Sequence, residues 1–232
     1  MRLSERLRMV ADMVPKCRTI ADVGCDHGYL SVWLLRENRA DYAIAMDVRT
    51  GPLAKAGETI SFFHQTSRAE TRLSDGLTEL KPGEADCIVC AGMGGELISR
   101  ILDNGKACID TVNTLILQPQ SDQELVRRTV YRLGFRIEDE RCLTELGKFY
   151  ICMRAVRATD CVPMPEDAEF RYGTALVARK DIEYLGWLTA ECEKKTAMVQ
   201  QLMRAGTTAA GERLAGAAEE LEMLSDTIRK ML

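Results

Sequence analysis

At 232 residues the chain is long enough for one sizeable core, or for a domain of about 150 residues with a smaller appendage. Hydrophobic residues make up 46% and charged residues 28%, with only 6 Pro, which excludes a disordered or fibrous protein. The net charge of −4 is not that of a basic nucleic-acid-binding body, no apolar run reaches the roughly 18 residues of a membrane helix, and no signal segment follows Met1, so a cytoplasmic protein is expected.

Short apolar runs alternate with amphipathic stretches over residues 1–157, the pattern of strands and crossover helices, so the predicted class is α/β with a parallel sheet. A helix near 3–13 precedes a strand at 19–23, which runs into the turn Gly24-Cys25-Asp26-His27-Gly28 and a helix near 29–38. A strand at 42–46, a helix near 51–63 and a strand near 69–73 follow, then a buried strand at 86–90, a helix near 95–104 and the run Leu115-Ile116-Leu117. Ser121 and Glu124 stand in capping-box spacing before the next helix, and Gly134 directly follows its last residue, Leu133. Strands near 135–142 and 148–156 flank the turn Glu145-Leu146-Gly147, which predicts an antiparallel hairpin at one edge of the sheet.

Composition changes after Arg157: residues 158–180 read as a connector, with Pro163 and Pro165 near its start, and 181–232 as an antiparallel helical hairpin of coiled-coil type. The first stripe is Ile182, Leu185, Thr189, Cys192, Thr196, Val199 and Met203, and the second is Leu214, Ala217, Leu221, Leu224, Ile228 and Met231. Ala205 to Gly211, with Gly206 and Thr207, has the small and polar residues that reverse a chain.

Nine cysteines, an odd count in a chain of this size, read as free thiols rather than a disulfide framework. Cys87 and Cys90 fall three apart within a strand, so their sulfurs point to opposite faces and read as small buried hydrophobes. With two histidines, His27 and His64, no imidazole-based metal site can be assembled and no metal is expected. Basic residues balance acidic ones, 22 against 22, over residues 1–157, and are outnumbered 9 against 13 beyond. A polyanion would therefore have to be held by local clusters such as Arg2, Arg6 and Arg8 or Arg127, Arg128 and Arg132, which otherwise read as solvated helix faces.

The segment Ile20 to Gly28 carries an apolar strand into a glycine-containing turn and a helix, the arrangement that holds a ligand. Gly-x-Gly-x-x-Gly is absent, and Asp22 and Asp26 would repel a pyrophosphate, which disfavours a dinucleotide. Asp47 ends the second strand, where it would accept from ribose hydroxyls, and Asp75 follows the third, next to Gly76, where it would accept from an adenine amino group.

The turn Asp22-x-Gly24-x-x-x-Gly28 resembles motif I of class I S-adenosylmethionine-dependent methyltransferases. Ala21 to Leu30, Gly51-Pro52-Leu53, Ala91-Gly92-Met93-Gly94-Gly95 and Leu115-Ile116-Leu117-Gln118-Pro119 are together similar to the bacterial tRNA (adenine-22-N1)-methyltransferases, over most of residues 4–157 and more loosely beyond Tyr172-Gly173. The resemblance implies a Rossmann-like methyltransferase domain at 1–157 with a C-terminal coiled-coil hairpin, S-adenosylmethionine as cofactor and tRNA as partner; the sequence leaves the oligomeric state open, with a monomer slightly favoured. The cofactor set it points to is Asp22, Gly24, Asp26, His27, Gly28, Asp47, Asp75, Gly76, Ala91, Gly92 and Met93. Cys25, Gly28, Ser31 and Asp47 depart mildly from the family pattern, and Tyr150-Ile151 lacks the acidic residue common there.

Methyl transfer to adenine N1 chiefly needs positioning, together with a carboxylate beside the developing ring cation. Asp26, in the cofactor turn, is the candidate for that carboxylate, and Gln118 is the candidate for orienting the base edge beside Pro119. His27 fits a functional role or a bond to backbone equally, while Tyr29 and Met93 read as packing residues. Three other readings stay open: a methyltransferase acting on a different RNA base, a small molecule or a protein; a dehydrogenase, against which the glycine spacing speaks; and a non-catalytic module whose hairpin recruits a partner. The hairpin's acidic balance confines any RNA contact there to spots such as Arg179-Lys180 or Lys194-Lys195.

Overall fold

Five strands run parallel: Cys17–Val23 (β1), Ala40–Asp47 (β2), Ala69–Leu73 (β3), Cys87–Met93 (β4) and Thr114–Pro119 (β5). Phe135–Glu145 (β6) and Lys148–Arg157 (β7) complete a seven-stranded sheet in the order β3-β2-β1-β4-β5-β7-β6. β7 is antiparallel to both β5 and β6, so β6 runs in the direction of β5. β5 is buried along its whole length, as a parallel strand covered on both faces must be. The computed structural model describes residues 1–160, 163–205 and 208–232, which divide into two compact units, Met1–Pro163 and Met164–Leu232.

The helices of the first unit are Glu5–Met13 (α1), Tyr29–Arg36 (α2), Thr50–Phe62 (α3), Gly95–Asn104 (α4), Lys106–Ile109 (α5) and Gln123–Arg132 (α6). Ser4 Oγ accepts the Leu7 N–H at 3.2 Å and starts α1, which lays Arg8 over the ring of Trp33 in α2 at 4.6 Å. Cys87 lies in the core cluster with Val89 and Ile116, while Cys90, three residues on and also buried, is outside that cluster. Burial pushes the Cys90 thiol up to about 12 and holds Cys87 well above the usual thiol range, so both stay protonated and unreactive.

Ser121 and Glu124 do not form a capping box. Asp122, at φ 54°, is the N-cap without a side-chain bond, Ser121 Oγ donates to the Asp122 carboxylate at 2.6 Å, and Glu124 pairs with Arg128 at 2.9 Å. The physical reason lies across the sheet edge, because a Cβ on Gly95 would stand 2.5 Å from the Ser121 carbonyl oxygen. The start of α4 therefore packs directly on this turn and dictates its backbone.

In the second unit, Asp167–Tyr172 (α7) and Ala175–Ala178 (α8) occupy part of the stretch expected as connector, and a reciprocal capping box between Glu166 and Glu169 starts α7. Ile182–Ala205 (α9) and Thr208–Met231 (α10) run antiparallel, with Cys192 facing Ser225 and Lys195 bonded to Glu220. The α10 stripe holds, with Ala217, Leu224 and Met231 buried, but that of α9 is displaced at its start and lost at its end, where Met203 is exposed. Ile182 is 84% exposed, whereas Tyr184 and Leu188 are buried, because Tyr184 Oη donates to the Tyr172 carbonyl at 2.6 Å and turns this end of α9 towards α7. The reversal expected at Gly206 and Thr207, and Cys161, lie outside the described residues. No helix among the described residues is long and apolar enough to cross a membrane.

Candidate active site

At the carboxyl edge of the sheet, where the strand order reverses between β1 and β4, the strand ends enclose a cavity of about 740 Å³. β1 and its turn supply Asp22, Gly24, Asp26 and His27, and β2 supplies Asp47. The turn after β3 contributes Asp75 and Gly76, and β4 contributes Ala91, Gly92 and Met93.

Two backbone bonds staple the β1 turn to β2, since Gly24 N–H and Cys25 N–H both donate to the Met46 carbonyl, at 2.8 and 2.9 Å. The Asp26 N–H then reaches Asp47 Oδ2 at 3.4 Å while the Arg49 N–H donates to Asp47 Oδ1 at 2.9 Å, so the buried Asp47 carboxylate is fixed from both sides. Each of its oxygens keeps lone-pair capacity for a further donor. The Asp26 side chain is 65% exposed, 3.7 Å from His27 Nε2, and the His27 ring stacks on Tyr29 at 5.9 Å. Asp22 is buried and accepts from Ser31 Oγ at 2.6 Å. Burial pushes its pKa up to about 6, against the bonds from Ser31 and with help from the Asp47 charge.

Two predicted residues stand outside the cavity wall. Gly28, at φ 70°, begins α2, and a Cβ there would meet Ala56 Cβ at 3.1 Å, so it serves the approach of α3. Gln118 is fully buried, its Oε1 accepting from Arg6 Nη1 at 2.8 Å and its Nε2 donating to the Pro119 carbonyl at 3.1 Å. Both ends of the amide are therefore engaged within the protein, and what Gln118 orients is Arg6, which does line the cavity. The cluster Arg127, Arg128 and Arg132 is no anion patch, because these residues pair with Glu140, Glu124 and Asp103. Lys194 and Lys195 likewise pair with Glu191 and Glu220. No group of three or more His, Cys, Asp or Glu among the described residues is placed to hold a metal ion.

The donor set suits S-adenosylmethionine. Carboxylates line a cavity that also has apolar lining, including Val48, which follows Asp47 and has 60% of its surface exposed. A flat adenine ring would cover Val48, ribose hydroxyls would donate to Asp47, and the cationic end would find Asp22.

A family described as "Methyltransferase domain" matches residues 3–153. The curated tRNA (adenine(22)-N(1))-methyltransferase of Bacillus subtilis is 32% identical over 98% of both chains. The chain belongs to the tRNA (adenine(22)-N(1))-methyltransferase family. The solved structure of the B. subtilis adenine-22 tRNA methyltransferase superposes with a TM-score of 0.87, covering 98% of this chain and 99% of that one at 32% identity. A Streptococcus pneumoniae relative solved in complex with S-adenosyl-L-methionine superposes at 0.84 with 28% identity, over 98% of this chain and 100% of that one.

For a methyltransferase of this family, sequence reasoning left out several cavity residues. Arg6 and Leu7 arrive from α1, Val48 and Arg49 from the turn after β2, and Leu97 and Arg100 from α4. Arg6 was legible only as one of three basic residues on a helix; its bond to Gln118, 112 positions away, has no local signature. Val48 had one usable signal, an apolar residue directly after a strand-end acid.

Proposed function

We propose that this protein transfers a methyl group from S-adenosylmethionine to N1 of adenine 22 of tRNA. The observation that carries the reading is the alignment of the β1, β2 and β3 strand-end acids on one cavity in a chain of this family. When bound, the cofactor supplies an electrophilic methyl group on a sulfonium centre.

Asp47 holds the ribose and keeps the cofactor turn in place through the Asp26 N–H. Asp22, with Ser31 behind it, presents a carboxylate to the cationic portion of the ligand. Asp26 stands in the turn rather than in the sheet, so its exposed carboxylate is available to the base. As N1 gains the methyl group the adenine ring becomes cationic, and Asp26 stabilises that charge by accepting from the N6 amino group. Arg6, clamped by Gln118 and resting over Tyr150 at 5.7 Å, offers donors for the base edge or its phosphate.

Incubation with labelled S-adenosylmethionine and unmodified tRNA, followed by mapping of the modified base, tests the reading. Label is expected at N1 of adenine 22, and label in a protein, a small molecule or another base would overturn it. In the same assay Asp26→Asn is expected to lower kcat by roughly 10²-fold with little change in cofactor affinity, because it removes charge and keeps shape. A near wild-type kcat in that variant would show that positioning alone suffices.

A further inference from the structure

The β6–β7 hairpin outruns the sheet that bears it. β7 pairs with β5 only over Met153–Val156, yet it pairs with β6 as far as Lys148. Residues 148–152 and their partners therefore project about 16 Å past the last β5–β7 pair. Since β6 runs in the direction of β5, the projection leaves from the carboxyl edge, which also carries the cavity. The first turn of α1 ties the two together: Glu5 N–H donates to the Glu145 carboxylate at 2.7 Å, Arg6 lies over Tyr150, and Arg6 and Leu7 line the cavity.

The tip of this arm is Leu146-Gly147, a two-residue loop with φ 50° and 75°. Asn, Asp or Gly takes the first of those positions at less cost than Leu. The side chain recovers none of that cost by burial, for Leu146 is 99% exposed. Lys148, also exposed, is two residues away. The fold thus holds an aliphatic group in solvent, in an unfavourable backbone conformation, at the tip of an arm beside the cavity mouth.

We infer that Leu146 is an apolar wedge that enters the base stack of the RNA substrate and occupies the gap left by the target adenine. The inference rests on the function proposed above. N1 lies on the pairing edge of adenine and cannot reach a methyl donor inside a folded RNA, so the base must swing out of its stack. Proteins that deform nucleic acids frequently insert apolar side chains, Leu among them, between base steps and unstack them. Lys148 would then meet the flanking phosphate.

Leu146→Asn and Leu146→Met test this with tRNA carrying 2-aminopurine at position 22, whose fluorescence rises on unstacking. Asn suits the positive φ, so the Leu146→Asn variant keeps its fold, and its melting temperature is expected to equal or exceed that of the wild type. Wild type and Leu146→Met are expected to raise the fluorescence on binding. Leu146→Asn is expected to lose that rise and about ten-fold or more of kcat/KM for unmodified tRNA, with unchanged affinity for S-adenosylmethionine. A wild-type rate or an undiminished fluorescence rise in Leu146→Asn overturns the wedge alone. A wild-type protein that binds cofactor but methylates no tRNA overturns the substrate assignment and the wedge with it.

Discussion

Asp22 gives the cavity a pH dependence of definite sign. Its pKa is about 6 in the fold against an ordinary value of 3.8, so between roughly pH 4 and pH 6 the folded protein holds a proton that the unfolded chain has released. Stability contributed through this group therefore falls as pH rises across that window and is level above it. Urea unfolding of wild type and Asp22→Asn at pH 4, 5, 6 and 7 should show the mutant gaining on the wild type up to pH 6, then a constant difference. Parallel curves would mean that the carboxyl is not desolvated. Asp22, Asp26, Asp47 and Asp75 were all legible in the sequence, because an acid at the end of a buried parallel strand has only the crevice to face. Gln118 was placed on the right strand, but nothing in Leu117-Gln118-Pro119 shows that a guanidinium from residue 6 bonds its amide oxygen.

Among the secondary-structure elements, Gly95 decides how α4 meets the turn into α6. An added Cβ would lie 2.5 Å from the Ser121 carbonyl and 2.7 Å from that of Asp122, both backbone atoms that cannot swing aside. Gly95→Ala should destabilise the protein by about 1–3 kcal/mol in denaturant unfolding. Gly216→Ala, where nothing lies within 4 Å of the added carbon, serves as the control and should be neutral or slightly stabilising. Equal stabilities for the two variants would show that α4 can shift away from the turn. The central strands β1, β2, β4 and β5 were readable because two covered faces demand apolar runs, while α5, four residues long, is too short for any periodicity. The α9 register was misread at its start for a related reason. A stripe pattern reports that a helix buries a face, and the bond from Tyr184 to the Tyr172 carbonyl, which buries Tyr184 while Ile182 stays exposed, has no signature in it.

At the scale of the molecule, every residue that lines the cavity belongs to the unit Met1–Pro163, and so does the sheet that carries it. A chain ending at Pro163 should bind S-adenosylmethionine with wild-type affinity in calorimetry, and loss of binding would show that residues 164–232 support the site. The change in composition begins at Ala158, ahead of the division after Pro163, and α7 and α8 left no signal in it, because neither is long enough to display an apolar stripe. The strand order has one more consequence, for how the protein behaves in concentrated solution. β3 and β6 are the open margins of the sheet. β3 is five residues long and carries Glu70 and Arg72 in a bonded network with Glu84, while β6 is broken by a register shift between Ile137 and Asp139 and studded with Arg136, Glu138 and Arg141. Short, charged or kinked margins make poor templates for a strand from another chain, so the sheet is guarded at both sides against edge-to-edge aggregation.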